Sequence, residues 1–413
     1  MIPKAEVLSV ADDSGLLPTT VEKDYVLGRV LIGITRHSDL RLWVFKGGTC
    51  LKKCYFDTYR FSEDLDFTVP DGAIYTASEI AAALKDACEW VNQQSGIEFP
   101  PERLMIEELT NRRGNLTFQA RISFVGPLRM PAAQIQRIKF DLTRDELVVD
   151  APDERPVYHP YSDGPTDNPL IRCYTLHEIL AEKTRALYER SGRSRDVYDV
   201  VNIGRNFREE VVVDRARAIL EAKFQFKGLP TPTADLILAS VDAETLAPDW
   251  QSALGHQLAV LPPMDDSLVA LREAVEWLVG EGEPATPQEV IPGRAGEQPV
   301  PRLRFAGAPQ LGALGRGISA SPAIARLPYS SAMDRVRYAA RNRLLAQVGY
   351  HGVQRLAEPY SLRMPDTGNL LLYVFERERG GMSSESIKVF KVAEISRVEV
   401  TDIPFQPRYL VEL

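Results

Sequence analysis

Apolar positions along the chain fall into successive regimes. Up to residue 205, short apolar runs alternate with amphipathic stretches. Leu42-Trp43-Val44-Phe45 is continuously apolar and predicts a buried strand, whereas Asp64-Leu65-Asp66-Phe67 and Ile138-Lys139-Phe140-Asp141-Leu142 alternate as half-buried strands do. From 206 to 282 the apolar spacing changes to three and four, predicting helices over Val213–Lys223 and Ser267–Val279. Residues 283–328 lose periodicity and are rich in Pro and Gly (Pro284, Pro287, Pro292, Gly293, Gly296, Pro299, Pro301, then the small-residue stretch Gly307–Gly317), which reads as a linker. Beyond it, Ser331–Val348 predicts an amphipathic helix carrying Arg335, Arg337, Arg341 and Arg343. The β-type runs Gln354–Leu362, Leu370–Val374 and Ile387–Ile395 then suggest a small barrel. The predicted fold class is α+β (mixed α/β): a core over 1–205, a helical part over 206–282, the linker over 283–328 and a β-barrel domain over 329–413.

Chemistry concentrates in residues 45–68. Alternate side chains of a strand share a face, so Asp64 and Asp66 project together while Leu65 and Phe67 point into the core. Two carboxylates on one face repel unless a cation lies between them, and Mg²⁺ suits oxygen ligands shared with substrate phosphates. A solvated Asp-x-Asp strand face is the plainer alternative. Gly47-Gly48 follows the apolar run and marks a tight turn where backbone can approach a ligand. Thr49–Tyr55 reads as a short helix capped by Thr49, and helix N-termini attract phosphate. Of the neighbours, Lys46 and Arg60 suit phosphate, and Arg60 equally suits a salt bridge to Glu63 or Asp64; Ser62 suits either a phosphate oxygen or a strand end.

Later segments supply further candidates. Asp141 is either a third carboxylate that takes a proton from an attacking hydroxyl or a strand-end turn former. Lys183 and Arg185 are two apart on a helix and face differently, with Lys183 directed at a triphosphate and Arg185 at a surface salt bridge. Asp196 and Asp199 share a helix face, placed to hold Lys183 or Arg195 or to touch nucleotide.

Lys46-Gly47-Gly48-Thr49, Arg60-x-Ser62-x-Asp64-Leu65-Asp66-Phe67, the opening helix Glu22–Leu27, and Leu180–Leu187 followed by Arg195-Asp196-Val197-Tyr198-Asp199 together resemble the AbiEii/AbiGii toxins. These are members of the polymerase-β-like nucleotidyltransferase superfamily, and the resemblance covers about the first 280 residues. It implies a Mg²⁺-dependent nucleotidyltransferase with two ions (Mn²⁺ the alternative) on Asp64 and Asp66, Asp141 and Lys183 assisting, and Lys46, Gly47, Gly48, Thr49, Arg60, Ser62 and Asp196 around an NTP. It further implies a toxin–antitoxin or phage-defence role, an RNA acceptor such as the 3′ end of tRNA, and an antitoxin encoded nearby. The C-terminal order of helix, Arg-x-x-Glu-Pro-Tyr and Leu-Tyr strand resembles the Sm/SH3-like WYL domain, without the literal Trp-Tyr-Leu triplet. That resemblance points to single-stranded nucleic acid or a nucleotide ligand at Arg355, Tyr360 and Tyr373, against the alternative that the tyrosines pack the barrel and Arg355 pairs with Glu358.

Composition narrows the class. The 413 residues carry a net charge of −8, so any nucleic acid must meet a local basic patch. Cys50, Cys54, Cys88 and Cys173 form no Cys-x-x-Cys pair and read as buried reduced thiols without a zinc site; the five histidines are scattered. No run approaches a membrane span and no signal pattern opens the chain, which reads as cytoplasmic. Two other classes fit the motifs: a catalytically idle nucleic-acid-binding regulator, and an enzyme that transfers nucleotide to protein (AMPylation type).

Overall fold

The computed structural model describes residues 1–56, 60–282, 288–293, 296–300, 331–365 and 368–413. The chain divides into two units: Met1–Ala259 with Ser267–Gly282, and Val260–Asp266 with Glu283–Leu413.

The first unit is built on a seven-stranded sheet. Its strands are β1 (Val44–Lys46), β2 (Asp64–Thr68), β3 (Met105–Thr110), β4 (Leu116–Phe124), β5 (Gln136–Thr143), β6 (Asp153–Pro156) and β7 (Leu170–Cys173), in spatial order β3-β4-β5-β2-β1-β7-β6. Helices α1 (Lys4–Ser14), α2 (Pro18–Arg36), α3 (Gly47–Cys50) and α4 (Ala77–Ser95) belong to the N-terminal part. They are followed by α5 (Leu176–Glu189), α6 (Ser194–Asn206), α7 (Val213–Phe226), α8 (Ala234–Leu238), α9 (Ala243–Leu254) and α10 (Met264–Val279). The predicted helices over 213–223 and 267–279 are thus present, each somewhat longer than its apolar periodicity.

Alternation gives the sheet two unlike faces. Phe45 opposes Phe67 on adjacent strands, with ring centroids 5.1 Å apart, and Phe140 lies 6.4 Å beyond Phe67. These rings are fully buried, each worth roughly 1.5–3 kcal/mol of transfer from water. Helices α2 and α4 pack against the sheet. Within α2, Asp24 ion-pairs with fully buried Lys53 at 2.8 Å, which ties this helix to the segment after the Gly-Gly turn.

In the second unit, the antiparallel strands β9 (Leu344–Tyr350), β10 (Val353–Met364), β11 (Leu371–Arg379), β12 (Met382–Lys391) and β13 (Ile395–Pro404) run in the order β12-β11-β10-β9-β13. The two-residue β8 (Gln298–Pro299) joins β10 at Arg363 and Met364. Helix α11 (Ser331–Arg341) packs on β9, β10 and β13. One expectation is corrected here. The helix predicted over Ser331–Val348 stops at Arg341, because Arg343 takes φ +55° and Leu344–Tyr350 enters the sheet between β10 and β13. The β runs form the expected small antiparallel domain, in which no pairing between the end strands β12 and β13 is present among the described residues. Most of the expected linker lies outside the described residues; within its described part, Gln298–Pro299 is strand.

Candidate active site

Strand register assembles the site. Antiparallel β1 and β2 pair Lys46 with Asp66, and parallel β2 and β5 pair Asp64 with Lys139 and Asp66 with Asp141. Laterally paired residues project to the same side, so Asp64, Asp66 and Asp141 stand on one face, opposite the buried aromatic file. Asp66 is squeezed: burial, then the like charges of Asp141 and Asp64, push its pKa up to about 6. Burial also raises Asp64, against the opposing pull of Lys139, Lys23 and Arg195. Carboxylates that resist losing their protons because anions crowd them are a fitting donor set for a divalent cation.

The glycine turn is shaped around the same carboxylate. Gly47 takes φ +80°, and a Cβ there would sit 2.4 Å from Asp66 Oδ2. A Cβ on Gly48 would meet Arg60 Nη2 at 2.4 Å and Ser62 Oγ at 3.3 Å. Gly47→Ala is therefore expected to cost about 1–2 kcal/mol from the left-handed backbone and to displace the Asp66 carboxylate. On the chemistry the resemblance implies, the single-turnover rate at saturating nucleotide should fall about 100-fold or more.

The helix after the turn starts two residues earlier than the sequence suggests. Residues Gly47–Cys50 are α-helical and Leu51–Tyr55 form a π-helical turn, with Lys46 at the N-cap. Thr49 is thus not a cap; its hydroxyl donates to the Asp64 carbonyl and ties the helix to β2. What this end offers a phosphate is its first backbone N–H groups, from Gly47 to Thr49.

Four cations surround the carboxylates. Lys46 is buried and donates to Glu182 at 2.9 Å. Desolvation would lower its pKa, but Glu182, Glu146 and Asp66 hold it above the usual lysine value. Lys183 lies 2.7 Å from Asp196 and 3.0 Å from Asp199, and these partners outweigh its desolvation and raise its pKa. Lys139 lies 2.7 Å from Asp141, whose other oxygen accepts from Gln119 at 3.0 Å. Arg195 Nη1 stands 3.9 Å from Asp64.

Ion pairs fix three more side chains, of which Asp196 takes a pairing the sequence left open and Arg185 departs from its expected place. Arg60 is a strut: its Nε and Nη2 grip Asp199 at 2.8 and 2.9 Å, and Nη1 donates to Gln257 at 2.8 Å, so its fork is aimed into protein and not at a phosphate. Asp196 is turned to Lys183 and buried. Arg185 is buried and pairs with Glu146 at 2.7 Å, where a surface bridge was expected. Ser62 is half-buried beside Gly48. Residues the sequence did not single out for the site are Glu182, Gln119 and Lys139. Only Lys139 carried a signal, its parity with Asp141 on one strand.

In the second unit Arg355, Tyr360 and Tyr373 are all buried, the arrangement of the packing alternative for the tyrosines. Tyr360 is fully buried and donates to Glu358; Tyr373, 1% exposed, donates to Glu297. Arg355 is paired with buried Glu376, not Glu358. The four cysteines are free and buried, as expected, but Cys50, Cys54 and Cys173 bring their sulfurs within 4.8 Å of one another, a convergence their spacing did not reveal.

Residues 29–281 match the family model described as nucleotidyl transferase AbiEii toxin of type IV toxin–antitoxin systems. No curated protein matches the chain. Among solved structures, MenT4, a nucleotidyltransferase toxin from Mycobacterium tuberculosis H37Rv, is similar over 67% of this chain and 90% of its own, with 20% identity and a TM-score of 0.48. Among the described residues no helix is long and apolar enough to cross a membrane.

Proposed function

Since the chain belongs to the AbiEii family of nucleotidyl transferase toxins, and is on that ground a nucleotidyltransferase, we propose that it moves nucleotides from an NTP onto an RNA acceptor, such as the 3′ end of tRNA. The observation that carries this reading is the register placing Asp64, Asp66 and Asp141 on one face beside a glycine whose Cβ would strike Asp66. Asp64 and Asp66 would hold two divalent cations, Mg²⁺ in our reading with Mn²⁺ the alternative, which neutralise the triphosphate and lower the pKa of a bound hydroxyl.

The chain's own groups divide the remaining work. The backbone N–H groups at Gly48 and Thr49 cradle phosphate oxygens. Asp141, the carboxylate farthest from the turn, accepts the proton of the acceptor hydroxyl as its oxygen bonds to the α-phosphorus. The bond from that phosphorus to the β-bridging oxygen breaks, and pyrophosphate departs with the electron pair. Lys183 is oriented by Asp196 and Asp199 and stays charged, and it balances the charge gathering on pyrophosphate. An ammonium has three donors, so one remains beyond these two contacts. We place the protein in the cytoplasm with an antitoxin partner.

The test is incubation of purified protein with labelled NTPs, Mg²⁺ and total RNA. RNase-sensitive label that disappears in Asp64→Ala and Asp66→Ala is the expected result. Label on protein would instead support AMPylation-type transfer. RNA labelled equally by both variants would remove the site assignment.

A further inference from the structure

Three adjacent strands extend the carboxylate face away from the glycine turn. Across β2, β5, β4 and β3 the register forms two lateral rows, Asp64–Lys139–Arg121–Met105 and Asp66–Asp141–Gln119–Glu107. A third row carries Thr143, Thr117 and Leu109, and Arg137 lies two positions before Lys139 on β5. The opposite face of these strands is core, with Ile138, Phe140, Leu142, Phe118, Ala120 and Ile122 all buried. The carboxylate face is open: the Arg121 and Lys139 side chains are 33% and 35% exposed, Arg137 is exposed, and Met105 and Leu109 are 47% and 43% exposed.

We propose that this open half-sheet is a binding platform for the sugar–phosphate backbone of a single-stranded RNA 3′ end. This inference rests on the reading of function above and deepens it. The turn, Lys46 and Lys183 lie on the β1 side of the carboxylates, so they define the nucleotide side. An acceptor hydroxyl must then approach Asp141 from the other side, across β5 and β4.

The chemistry of that surface fits a polyanion with bases attached. Arg121, Lys139 and Arg137 bring three cations together in a chain of net charge −8, Lys139 paired with Asp141 and Arg121 with Glu107. Lys139 and Arg121 are neighbours across the strands, at the spacing of roughly 5 Å that separates paired side chains. Arg121 donates from Nη1 to Glu107 at 2.8 Å and from Nη2 to Gln119, two of the five N–H groups a guanidinium carries. Met105 and Leu109 flank this group on the edge strand and give unstacked bases an apolar support without reading their edges. From β2 to β3 the platform spans three inter-strand steps of about 4.8 Å, or roughly 14 Å, enough for a few nucleotides and not for a long duplex. The expected recognition is of a frayed or unpaired end, tolerant of sequence.

The experiment uses the full chain and a fluorescent single-stranded oligoribonucleotide, with anisotropy followed against KCl concentration. In Arg121→Ala/Arg137→Ala the dissociation constant should rise about tenfold or more. The slope of log K against log salt should shrink by about 1.4, two phosphate contacts at about 0.7 each. In transfer assays the KM for RNA should rise while the KM for nucleotide holds. Met105→Ala/Leu109→Ala should weaken binding with the salt slope kept, which separates apolar support from charge. Melting curves matching the parent's show that both variants fold.

A parental slope and KM for RNA in the arginine variant would overturn the platform. So would loss of antitoxin binding with RNA binding kept, since the face would then be a protein interface. If the parent itself transfers nothing to RNA, the reading of function fails first, and this is distinguishable because it is seen before any substitution is made.

Discussion

Asp66→Asn will melt at a higher temperature than the parent when both are free of divalent cation, and it will transfer nothing. The ordinary carboxylate value is 3.8, whereas Asp66 sits at about 6. That gap corresponds to roughly 3 kcal/mol of unfavourable ionisation in the folded state. The sign follows from proton linkage. A carboxylate with a raised folded pKa binds its proton more tightly when folded, so stability is highest below pH 3.8 and declines as pH climbs to about 6. Asparagine keeps the shape and removes the charge. The variant's advantage should be absent at low pH and should reach about 1–3 kcal/mol above pH 6, a rise of roughly 2–12 °C in Tm at 2–4 °C per kcal/mol.

Divalent cation should then reverse the ranking. A cation at a hundred times its Kd adds about 2.7 kcal/mol to the parent through binding to the folded state. The variant lacks one of the two carboxylates proposed to hold the cation and should gain little. Differential scanning fluorimetry at pH 5 and 7.5, with EDTA or Mg²⁺, reads all of this. If the metal-free variant melts below the parent at pH 7.5, Asp66 is not strained by its neighbours and the account of the carboxylate face is wrong. A site that is unstable until its cation arrives is the expected signature of function held against stability.

How far the chain was legible follows from the range of each signal. The Asp64/Asp66 pairing rests on strand parity, a local property, and it holds. The Gly-Gly turn was also local, though its reason was not: only the fold shows that Gly47 yields to Asp66 and Gly48 to Arg60. The helix start was misplaced because Gly47 at φ +80° allows the chain to turn into helix at once, leaving Thr49 in the first turn. Arg60 looked like a phosphate ligand because its partner Asp199 is 139 positions away and invisible to spacing. The partners of Arg355 and Tyr373 were hidden for the same reason, since Glu376 and Glu297 are 21 and 76 positions away. Charged residues in an alternating strand signal a polar face, but not whether that face meets solvent or another buried charge.

That long-range network carries the second large effect. Asp199 is fully buried and serves two cations at once, Arg60 through both oxygens and Lys183 at 3.0 Å. Removing its charge leaves a guanidinium and an ammonium facing each other in a dry site, a mechanism worth about 3–5 kcal/mol. Asp199→Asn should therefore lower Tm by roughly 6–20 °C. The loss should be the same from pH 6 to 9: Lys183, held above the lysine value of 10.5, keeps its charge throughout, and a raised lysine loses its stabilising pair only as pH passes its folded pKa.

Lys183→Met separates the structural part from the chemical part. It leaves Asp199 still gripped by Arg60, so its cost in Tm should be about half as large or less. Its single-turnover rate should nevertheless fall about 100-fold or more at saturating nucleotide, since charge on the leaving pyrophosphate is then unbalanced. Asp199→Asn, assayed well below its own melting temperature, should lose less rate than Lys183→Met, because the lysine is still present and still held by Asp196. The opposite order, with Asp199→Asn slower than Lys183→Met at a temperature where both are folded, would mean that Lys183 serves the aspartates and not the phosphates.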